Sequence, residues 1–589
     1  MKFIGNVLAT IVGIFVFIML FFVGIMLIGT LFGGDKDTVT VEENSVLELD
    51  LEDVSKDYAE NLNVVDFSMM SSNEHNGLID ILNAIDAAKT DEDIKGISIL
   101  NSHSALGLAQ ATALRKKLEE FKKSKKFVVA YADMYSQKEY YICSVADTIY
   151  LNPVGVLEFQ GLSTEVLYMK ELQNKIGVKM EVIRHGKYKS AVEPYLTQEM
   201  SPENRLQLSE LLNSAWSSIA SDVAKSRKIN IDTLNNIATR LGGRNPKLAL
   251  QNKLIDKIGY EDEYHDGIRK ALKKKKTEKY TSVSIVDYAN KVATTAKDYK
   301  KKDKIAVVFA QGEITGGEGS IEEIGEGYMR TSLQEAREDK NVKAIVLRID
   351  SPGGSALTSE LIWREIERTK KVKPVVVSMG NVAASGGYYI ACNSNYIFAE
   401  PTTITGSIGV FGMIPNGTDL AKNIGVNAEQ VSTHNNKADY GFFDPLDEKL
   451  RAVITEGVED VYKTFVTRVA TGRKMTFAQV DAIGQGRIWT GIEAQKNGLV
   501  DKLGGLEEAI KYAATLGKTK EYRTINYPEF EKTFDEIFKN FEKMPFAKTK
   551  EQLLKEELGK ETYEMYQQIK KLQNSKGIQA RMPYELLIK

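Results

Sequence analysis

The fold of this chain is decided by a short apolar run that occurs twice, as Asp93-Ile-Lys-Gly-Ile-Ser-Ile-Leu100 and, 248 positions later, as Asn341-Val-Lys-Ala-Ile-Val-Leu-Arg348. Each run has the length and the β-branched content of a buried strand. A helix-length stretch follows each run, at 108–122 and at 356–370. A further apolar run comes next in both copies. Buried strands that alternate with helices of this length predict an α/β fold of stacked strand–helix–strand units.

The repeat divides the chain into five predicted segments. Two lysine runs, at 273–276 and 300–302, flank a polar stretch between the copies, and the sequence after Lys518 becomes rich in Glu, Lys and Phe. We therefore expect the following segments: a transmembrane anchor at 1–37, a first repeat at 38–272, a linker at 273–303, a second repeat at 304–518 and a helical extension at 519–589.

The composition is that of a globular protein, and its charges nearly balance, so it has no strong overall electrostatic field. Among 589 residues, 78 are basic and 80 are acidic, and the net charge of −2 argues against a nucleic-acid partner. The five histidines and two cysteines form no cluster in the sequence, so we predict no metal and no other cofactor. Cys143 and Cys392 each lie in one copy. The sequence allows either two buried thiols or a disulfide between them.

The segment before the repeats has the character of a membrane anchor. Residues 3–34 contain no charged side chain, and the apolar core at 8–28 exceeds the roughly 20 residues that span a bilayer. A cleaved signal peptide is the alternative, but its apolar region would be about 7 to 15 residues long. Lys2 precedes the segment and Asp-Lys-Asp follows it at 35–37, which favours a cytoplasmic N-terminus and places the body of the protein outside the cytoplasm.

One copy carries a candidate nucleophile that the other lacks. The second copy reads Asn381-Val-Ala-Ala-Ser385-Gly-Gly-Tyr-Tyr-Ile390, and the matching position of the first copy is Gln137. The small neighbours let a substrate carbonyl approach, and a helix that begins at Gly386 directs free backbone N–H groups at a developing negative charge. A glycine turn at 350–354 offers a second donor. A simple chain turn is the alternative interpretation of each motif.

A nucleophilic serine needs a base within hydrogen-bond reach. None of the five histidines lies in a run typical of a catalytic triad, and His434, 49 residues after Ser385, is the best candidate among them. A lysine can take this role if burial keeps it neutral. Lys189 has apolar neighbours and follows a strand-like run at 178–183, so it is a candidate base; an ordinary surface lysine is the alternative.

Taken together, the motifs resemble those of the long-form signal peptide peptidase A family, also called protease IV, whose members are membrane-anchored serine proteases. The similarity runs through both copies and covers nearly the whole chain after the anchor. The matching motifs are Tyr188-Lys-Ser-Ala-Val-Glu-Pro194, Asp350-Ser-Pro-Gly-Gly354, Ala383-Ala-Ser-Gly-Gly-Tyr388, Thr405-Gly-Ser-Ile-Gly409, Gly486-Arg-Ile-Trp-Thr-Gly491 and Gly498-Leu-Val-Asp501.

The resemblance implies a set of residue roles. Ser385 would be the nucleophile and Lys189 the general base, with Ser407 hydrogen-bonded to the lysine and orienting it. Backbone N–H groups near Gly354 and Gly386 would form the oxyanion hole. The implied fold is a tandem pair of domains similar to crotonase and the Clp protease subunit, and no cofactor is implied.

The resemblance also implies a setting. The family's long form resembles a bowl-shaped homotetramer, bound to the bacterial inner membrane by a single N-terminal span. Its sites would face an interior groove on the periplasmic side. The implied substrates are hydrophobic signal-peptide fragments left in the membrane after secretion.

Three alternatives stay open on the sequence. Short-form relatives carry serine and lysine in one domain, and Lys437 lies 52 residues after Ser385 at a comparable place, although its polar neighbours would keep it hydrated and charged. A crotonase-type enzyme would use the same oxyanion hole on acyl thioesters without a covalent step. A non-catalytic membrane scaffold would bind peptides or partners through the bowl.

Overall fold

The computed structural model of the chain describes the following residues: 13–17, 19–20, 41–54, 56–58, 77–295, 301–429, 431, 433–434, 441–443, 446–528, 563 and 579–582. The transmembrane anchor expected through residues 3–34 lies mostly outside this set. Within the set, no helix is both long enough and apolar enough to cross a membrane.

The strands of the described residues form three sheets. They are β1 (Ser45–Glu48), β2 (Ile94–Leu100), β3 (Phe127–Tyr135), β4 (Thr148–Leu157), β5 (Lys179–His185), β6 (Lys257–Ile258), β7 (Ser282–Ser284), β8 (Lys304–Gln311), β9 (Glu313–Ile314), β10 (Glu323–Ile324), β11 (Val342–Ser351), β12 (Gly353–Ser355), β13 (Val375–Ala384), β14 (Tyr396–Ala399), β15 (Ile404–Gly406), β16 (Val410–Asn416), β17 (Ile488–Thr490), β18 (Lys502–Leu503), β19 (Arg523–Tyr527) and β20 (Gln579–Arg581).

Helices cover the faces of two of these sheets. They are α1 (Leu78–Ala88), α2 (Leu108–Lys122), α3 (Gln137–Cys143), α4 (Lys170–Ile176), α5 (Glu193–Leu196), α6 (Pro202–Arg227), α7 (Ile231–Thr239), α8 (Pro246–Gln251), α9 (Glu261–Ala271), α10 (Ile285–Thr295), α11 (Glu326–Glu338), α12 (Ala356–Lys370), α13 (Gly386–Ala391), α14 (Thr418–Asn423), α15 (Glu448–Arg473), α16 (Phe477–Ile483), α17 (Gly491–Lys496) and α18 (Leu506–Leu516).

The first sheet belongs to the first copy and is parallel throughout, in the order β6-β4-β3-β2-β1-β7. Leu114 and Phe121 of α2 share one buried core with Ile97 of β2. Parallel strands that helices cover on both faces need apolar side chains on both faces. This requirement explains why β2 reads as a nearly continuous apolar run.

The second copy repeats this arrangement in the largest sheet, whose order is β17-β15-β13-β11-β8-β19, with β14 pairing to β13 and β18 to β14. The succession β11, α12, β13, α13, β14 corresponds to β2, α2, β3, α3, β4 of the first copy. The helices predicted at 108–122 and 356–370 are observed with those bounds. The α/β prediction is therefore confirmed.

The remaining sheet joins the two copies. Its order is β10-β9-β12-β20-β16-β5, and β5 comes from the first copy. The β5 strand pairs antiparallel with β16 along its whole length, from Lys179 opposite Asn416 to His185 opposite Val410. The residues that follow β5 therefore begin next to Val410, within the second copy.

Two ranges differ in structure from the segments expected on the sequence. Within 273–303, expected as a linker, β7 pairs with β1, and α10 buries Ile285 and Tyr288 in the core of the first copy. Within 519–589, expected as a helical extension, β19 pairs with β8 in the largest sheet and β20 lies in the joining sheet. Apolar residues in these ranges find partners that lie far away in the sequence.

A buried ion pair also ties the copies together. Arg348 Nε of β11 lies 2.7 Å from Asp57 Oδ2, and both side chains are only 4% exposed. The Arg348 guanidinium also donates to Ser378 Oγ at 2.9 Å and to the Met379 carbonyl at 2.8 Å. Asp57 accepts a further hydrogen bond, from Gln110 Nε2 at 3.0 Å.

We expect Asp57→Ala to lower the free energy of unfolding by about 3 kcal/mol, because it leaves a buried guanidinium without its nearest carboxylate. The loss falls at the low end for such pairs because Asp350 also acts on Arg348. Urea denaturation measures the change. Asp460→Ala is the matched control: it breaks an exposed pair with Lys463 and changes stability by no more than about 0.5 kcal/mol. Equal effects of the two substitutions would contradict this role.

Candidate active site

Ser385 lies at a sharp turn between a strand and a helix. It follows β13 directly and is the N-cap of α13, with φ 55° and ψ −115°. A positive φ is unfavourable for a residue with a Cβ, so the surrounding structure must hold it. The Ser385 N–H donates to the Gly406 carbonyl at 2.8 Å, and the Tyr389 N–H donates to the Ser385 carbonyl at 2.8 Å. Two backbone bonds thus fix the strained residue.

Lys189 reaches this turn from the first copy. It lies four residues after the end of β5, and its side chain is fully buried. Its Nζ atom lies 2.8 Å from Ser385 Oγ, 3.0 Å from Ser407 Oγ and 3.2 Å from the Ser407 carbonyl oxygen. The structure therefore brings together the three side chains that the sequence singled out.

The surroundings of Lys189 favour its neutral form. In the described part of the chain, its hydrogen-bond partners are three uncharged oxygens and include no carboxylate. Burial lowers its pKa well below the usual 10.5, because desolvation penalises the ammonium. A neutral amine has two N–H groups and one lone pair. The N–H groups can donate to the two Ser407 oxygens, and the lone pair can accept the Ser385 hydroxyl proton.

Two glycines make room for the lysine. A Cβ added to Gly486, which has φ +80°, would lie 2.5 Å from the Lys189 backbone nitrogen. A Cβ added to Gly409 would lie 3.1 Å from Lys189 Cδ. Both glycines belong to motifs quoted from the sequence, yet their role was not predicted. The only sequence feature that could have indicated this role is the glycine at one end of each motif, at 405–409 and at 486–491.

Ser407 is itself held in place. Its backbone has φ 52°, and its N–H donates to the Arg487 carbonyl at 2.7 Å. Because the Ser407 hydroxyl and carbonyl both face Lys189 Nζ, the residue limits the positions that the amine can take.

The two predicted oxyanion donors lie on adjoining stretches of backbone. A Cβ added to Gly353 would lie 2.7 Å from the Gly386 nitrogen, so the glycine turn packs directly against the start of α13. Gly353 and Gly354 have φ +98° and +154°, which residues with a Cβ rarely adopt. Gly354 pairs with Ile314 of β9. Of the two glycines, Gly353 lies against the Gly386 nitrogen, whereas Gly354, the residue named as a donor from the sequence, lies against Ile314.

Asp350 connects the glycine turn to the serine strand. Its carboxylate accepts hydrogen bonds from the Val382 N–H at 2.9 Å and from Asn381 Nδ2 at 3.2 Å. Burial, and after it the charge of Asp57, raises the pKa of Asp350 to about 7. In the sequence this aspartate is marked only as the first residue of the glycine turn.

The first copy uses the corresponding place for structure. Gln137, which aligns with Ser385, begins α3, and its Nε2 donates to the Gly161 carbonyl at 2.8 Å. Its Oε1 accepts from the N–H groups of Gln160 and Gly161, both at 2.9 Å. The glutamine therefore holds a loop where the second copy carries the serine.

Other sequence candidates lie away from this constellation. His434 is exposed and contacts Thr433, and Lys437 lies outside the described residues. Cys143 and Cys392 are both free and buried.

Among the described residues, one group of carboxylates is close enough together to share a cation. It consists of Asp86, Glu120 and Glu507. The Lys117 ammonium forms ion pairs with all three and offsets part of their charge.

Two stretches of the chain, residues 120–276 and 367–520, match the family model of peptidase family S49, and together they cover more than half of the chain. The first contains Lys189, and the second contains Ser385 and Ser407. The chain belongs to peptidase family S49. It is therefore a serine peptidase.

Three S49 relatives extend the match. Protease 4 of Salmonella typhi is 39% identical over 77% of this chain and 74% of its own length. Protease 4 of Haemophilus influenzae is 36% identical over 82% and 81%. The chloroplastic serine protease SPPA of Arabidopsis thaliana is 32% identical over 72% and 64%. Matches across both copies place the chain with the long-form SppA, or protease IV, members of S49.

A solved structure gives a weaker similarity. A ClpP1 mutant from Listeria monocytogenes superposes on 35% of this chain and 94% of its own, with a TM-score of 0.24 and 15% sequence identity. The S49 assignment rests on sequence and not on this superposition.

The buried lysine predicts a pH-dependent stability. Between the lowered pKa of Lys189 and 10.5, the unfolded chain binds one more proton than the folded chain, so stability rises with pH in that window. Folding at neutral pH therefore costs the free energy of removing a proton from Lys189, and Lys189→Met removes this cost. We expect it to be more stable than the unmodified chain at pH 7, with an advantage that shrinks towards pH 10.5.

Urea denaturation at several pH values between 6 and 10 measures this difference. Lys187→Met is the control, because Lys187 is exposed two positions away. A Lys189→Met difference that stays constant across the series would show that the folded lysine is charged.

Proposed function

We propose that this serine peptidase is a membrane-bound endopeptidase that uses a Ser385–Lys189 dyad to degrade signal peptides left in the membrane after their release from preproteins. One observation carries the chemical part of the proposal. The Lys189 amine lies 2.8 Å from Ser385 Oγ, inside a fully buried site.

Acylation follows from this geometry. Neutral Lys189 accepts the hydroxyl proton as Ser385 Oγ attacks the peptide carbonyl carbon. The carbonyl oxygen takes the negative charge, and the backbone N–H groups near Gly386 and Gly354 stabilise it. The carbon–nitrogen bond then breaks. The Lys189 ammonium gives its proton to the leaving amine, and the acyl group stays on Ser385.

Deacylation reuses the same groups. A water molecule attacks the acyl carbon while neutral Lys189 takes one of its protons. The tetrahedral intermediate collapses, Lys189 returns the proton to Ser385 Oγ, and the free carboxylic acid leaves. Ser407 keeps the amine aimed at the serine in both steps, because its two oxygens hold the amine's N–H groups.

The membrane part of the proposal rests on sequence. An uncharged segment at 3–34 would anchor the chain in the bacterial inner membrane, with the N-terminus in the cytoplasm and the catalytic part on the periplasmic side. Hydrophobic fragments in the same bilayer would then be within reach of the site. The resemblance to long-form relatives further supports a homotetramer.

A crotonase-type enzyme that acts on acyl thioesters would leave the position of Lys189 unexplained. An enzyme that only stabilises an oxyanion needs no lysine beside the serine, yet burying a lysine amine costs free energy. A buried amine within hydrogen-bond reach of the serine hydroxyl is the arrangement that a general base requires. The scaffold rival is not compatible with the S49 peptidase assignment.

We expect Ser385→Ala and Lys189→Met each to lower kcat/KM for peptide hydrolysis by at least about 1,000-fold, because one removes the nucleophile and the other removes the base. The assay uses the full chain in lipid vesicles with a hydrophobic signal peptide, and a short soluble fluorogenic peptide in parallel. Lys187→Met is the matched control and retains activity.

The outcomes separate the alternatives. Activity retained in Ser385→Ala would favour the thioester-type enzyme, and activity retained in Lys189→Met would point to another base such as Lys437. Hydrolysis of the soluble peptide without hydrolysis of the bilayer-bound peptide would contradict the membrane substrate.

The dyad also predicts a rate that increases with pH. Protonated Lys189 cannot accept the serine proton, so kcat/KM should fall about tenfold per pH unit below the lysine pKa, which lies well below 10.5. Steady-state hydrolysis of the soluble peptide between pH 5 and 10 measures the profile. A profile that is flat over this range is incompatible with Lys189 as the base.

A further inference from the structure

The loop that carries Lys189 has little regular structure of its own. Lys189 lies between the end of β5 and a single 3₁₀ turn at Ser190–Val192, in neither a strand nor a helix. Its carbonyl accepts from Arg184 Nη1 at 3.0 Å, and its N–H donates to the Gly186 carbonyl at 3.2 Å. Both bonds are local, so they do not by themselves fix the loop relative to Ser385.

One buried side chain bonds to the residues on both sides of Lys189. Gln207 of α6 is only 1% exposed. Its amide nitrogen donates to Ser190 Oγ at 2.8 Å and to the Tyr188 carbonyl at 3.1 Å. A side-chain amide carries two N–H donors, so both oxygens can accept at once. Gln207 therefore holds the loop immediately before and immediately after the lysine.

The same side chain reaches the strands beside the two serines. Gln207 Oε1 accepts from the Ile488 N–H of β17 at 3.3 Å. The β17 strand pairs with β15, with Ile488 opposite Gly406. The Gly406 carbonyl accepts from the Ser385 N–H, and the next residue in the chain is Ser407. A single side chain thus connects the lysine loop to the strand pair that lies beside both serines.

Helix α6 is a firm support for this side chain. One face of the helix follows β17, because the Glu210 carboxylate pairs with Arg487 and Ser214 Oγ lies 2.8 Å from Thr490 Oγ1. These two helix positions follow Gln207 by three and seven residues, which is the spacing of one helix face. The helix therefore fixes the Gln207 amide relative to β17.

A second buried side chain of α6 bonds to Gln207 and to the rest of the lysine motif. Asn204 Oδ1 lies 3.1 Å from Gln207 Nε2, and Asn204 Nδ2 donates to Glu193 Oε2 at 2.6 Å. Glu193 belongs to the Tyr188–Pro194 motif, and its other oxygen accepts from the Ser201 N–H at 3.1 Å. The part of the motif after the lysine is thereby bound to the start of α6.

We propose that Gln207 is a positioning residue for the Ser385–Lys189 dyad: its amide fixes the lysine loop against β17, so that the amine stays beside the serine hydroxyl and away from water. The proposal rests on the dyad proposed above. In the described part of the chain, Gln207 hydrogen-bonds to neither Lys189 Nζ nor Ser385 Oγ. It therefore acts through Tyr188 and Ser190.

Loss of this support should change the chemistry as well as the stability. With an apolar side chain at position 207, the loop can move, the amine leaves its place beside the serine, and water reaches it. A misplacement of about 1 Å can cost roughly 100-fold in rate. Hydration of the ammonium also raises the pKa of Lys189 towards 10.5, because burial is what lowers it.

The test compares Gln207→Leu with the unmodified full-length chain in the soluble-peptide assay between pH 5 and 10. We expect kcat to fall about 30-fold with KM changed by less than about twofold, because the proposed role acts on the base and not on substrate binding. We also expect the apparent pKa of the kcat/KM profile to rise towards 10.5.

Gln173→Leu is the matched control. Gln173 is also a buried glutamine, and its amide donates to the Tyr195 carbonyl and accepts from the Met180 N–H, at the far end of β5 from the lysine. This variant should lose stability and keep both kcat and the pH profile. A Gln207→Leu chain that is destabilised but keeps the kcat and pH profile of Gln173→Leu would overturn the proposal.

Ser190→Ala is a milder variant that keeps the test decisive if Gln207→Leu does not fold. It removes one of the two acceptors, so kcat should fall about fivefold and the apparent pKa should rise. Because both substitutions break the same bond, the double variant should lose less than the product of the two single effects. An unchanged kcat and pH profile in Ser190→Ala, or fully multiplicative effects, would overturn the route through Ser190.

Stability measurements separate failure here from failure of the proposed function. At pH 7, Lys189→Met should stabilise the chain less in the Gln207→Leu background, because the amine there is already hydrated. If this coupling is found while hydrolysis is independent of Lys189, the proposed catalytic site is wrong, although Gln207 still positions the lysine. If hydrolysis depends on Lys189 and Ser385 but the coupling and the fall in kcat are both absent, only the role of Gln207 is wrong.

Discussion

The contact between the Lys189 amine and the Ser385 hydroxyl is the interaction on which the rest of the site depends. A lysine can act as a base near neutral pH only if burial removes water from its ammonium and no carboxylate replaces that water. The surroundings of Lys189 meet both conditions within the described residues, where its partners are uncharged oxygens. The cost of burying the amine must be offset by other interactions of the fold, and β5, which precedes Lys189, pairs with β16 along its whole length.

The asymmetry of the duplication follows from this constraint. Here β5 of the first copy pairs along β16 of the second and delivers Lys189 from the opposite side. The first copy no longer needs a serine of its own, and Gln137 fixes a loop instead. The buried pair of Asp57 and Arg348 is a second contact that joins the two copies.

Strands and helices that are encoded in local apolar patterns could be predicted from the sequence. Contacts between residues far apart in the chain could not. The strand and helix at 341–370 and their counterparts in the first copy could be read from apolar runs, because each run reflects burial between helices. The meeting of Lys189 with Ser385 came from motif resemblance, since neither residue's neighbours indicate a partner 196 positions away. The β20 strand was missed for the same reason: a strand of three residues has no periodicity of its own, and only the edges of β12 and β16 give it a place. The packing roles of Gly409 and Gly486 could not be inferred because they depend on where Lys189 lies.

Activation of Ser385 by a neutral Lys189 is tested most directly by the pH dependence of covalent labelling by a fluorophosphonate, with peptide mass spectrometry to locate the adduct. A neutral Lys189 that activates Ser385 predicts a single adduct on Ser385, a labelling rate that rises with pH through an apparent pKa well below 10.5, and loss of labelling in Lys189→Met. An adduct on another residue, or a labelling rate that Lys189→Met leaves unchanged, would contradict it.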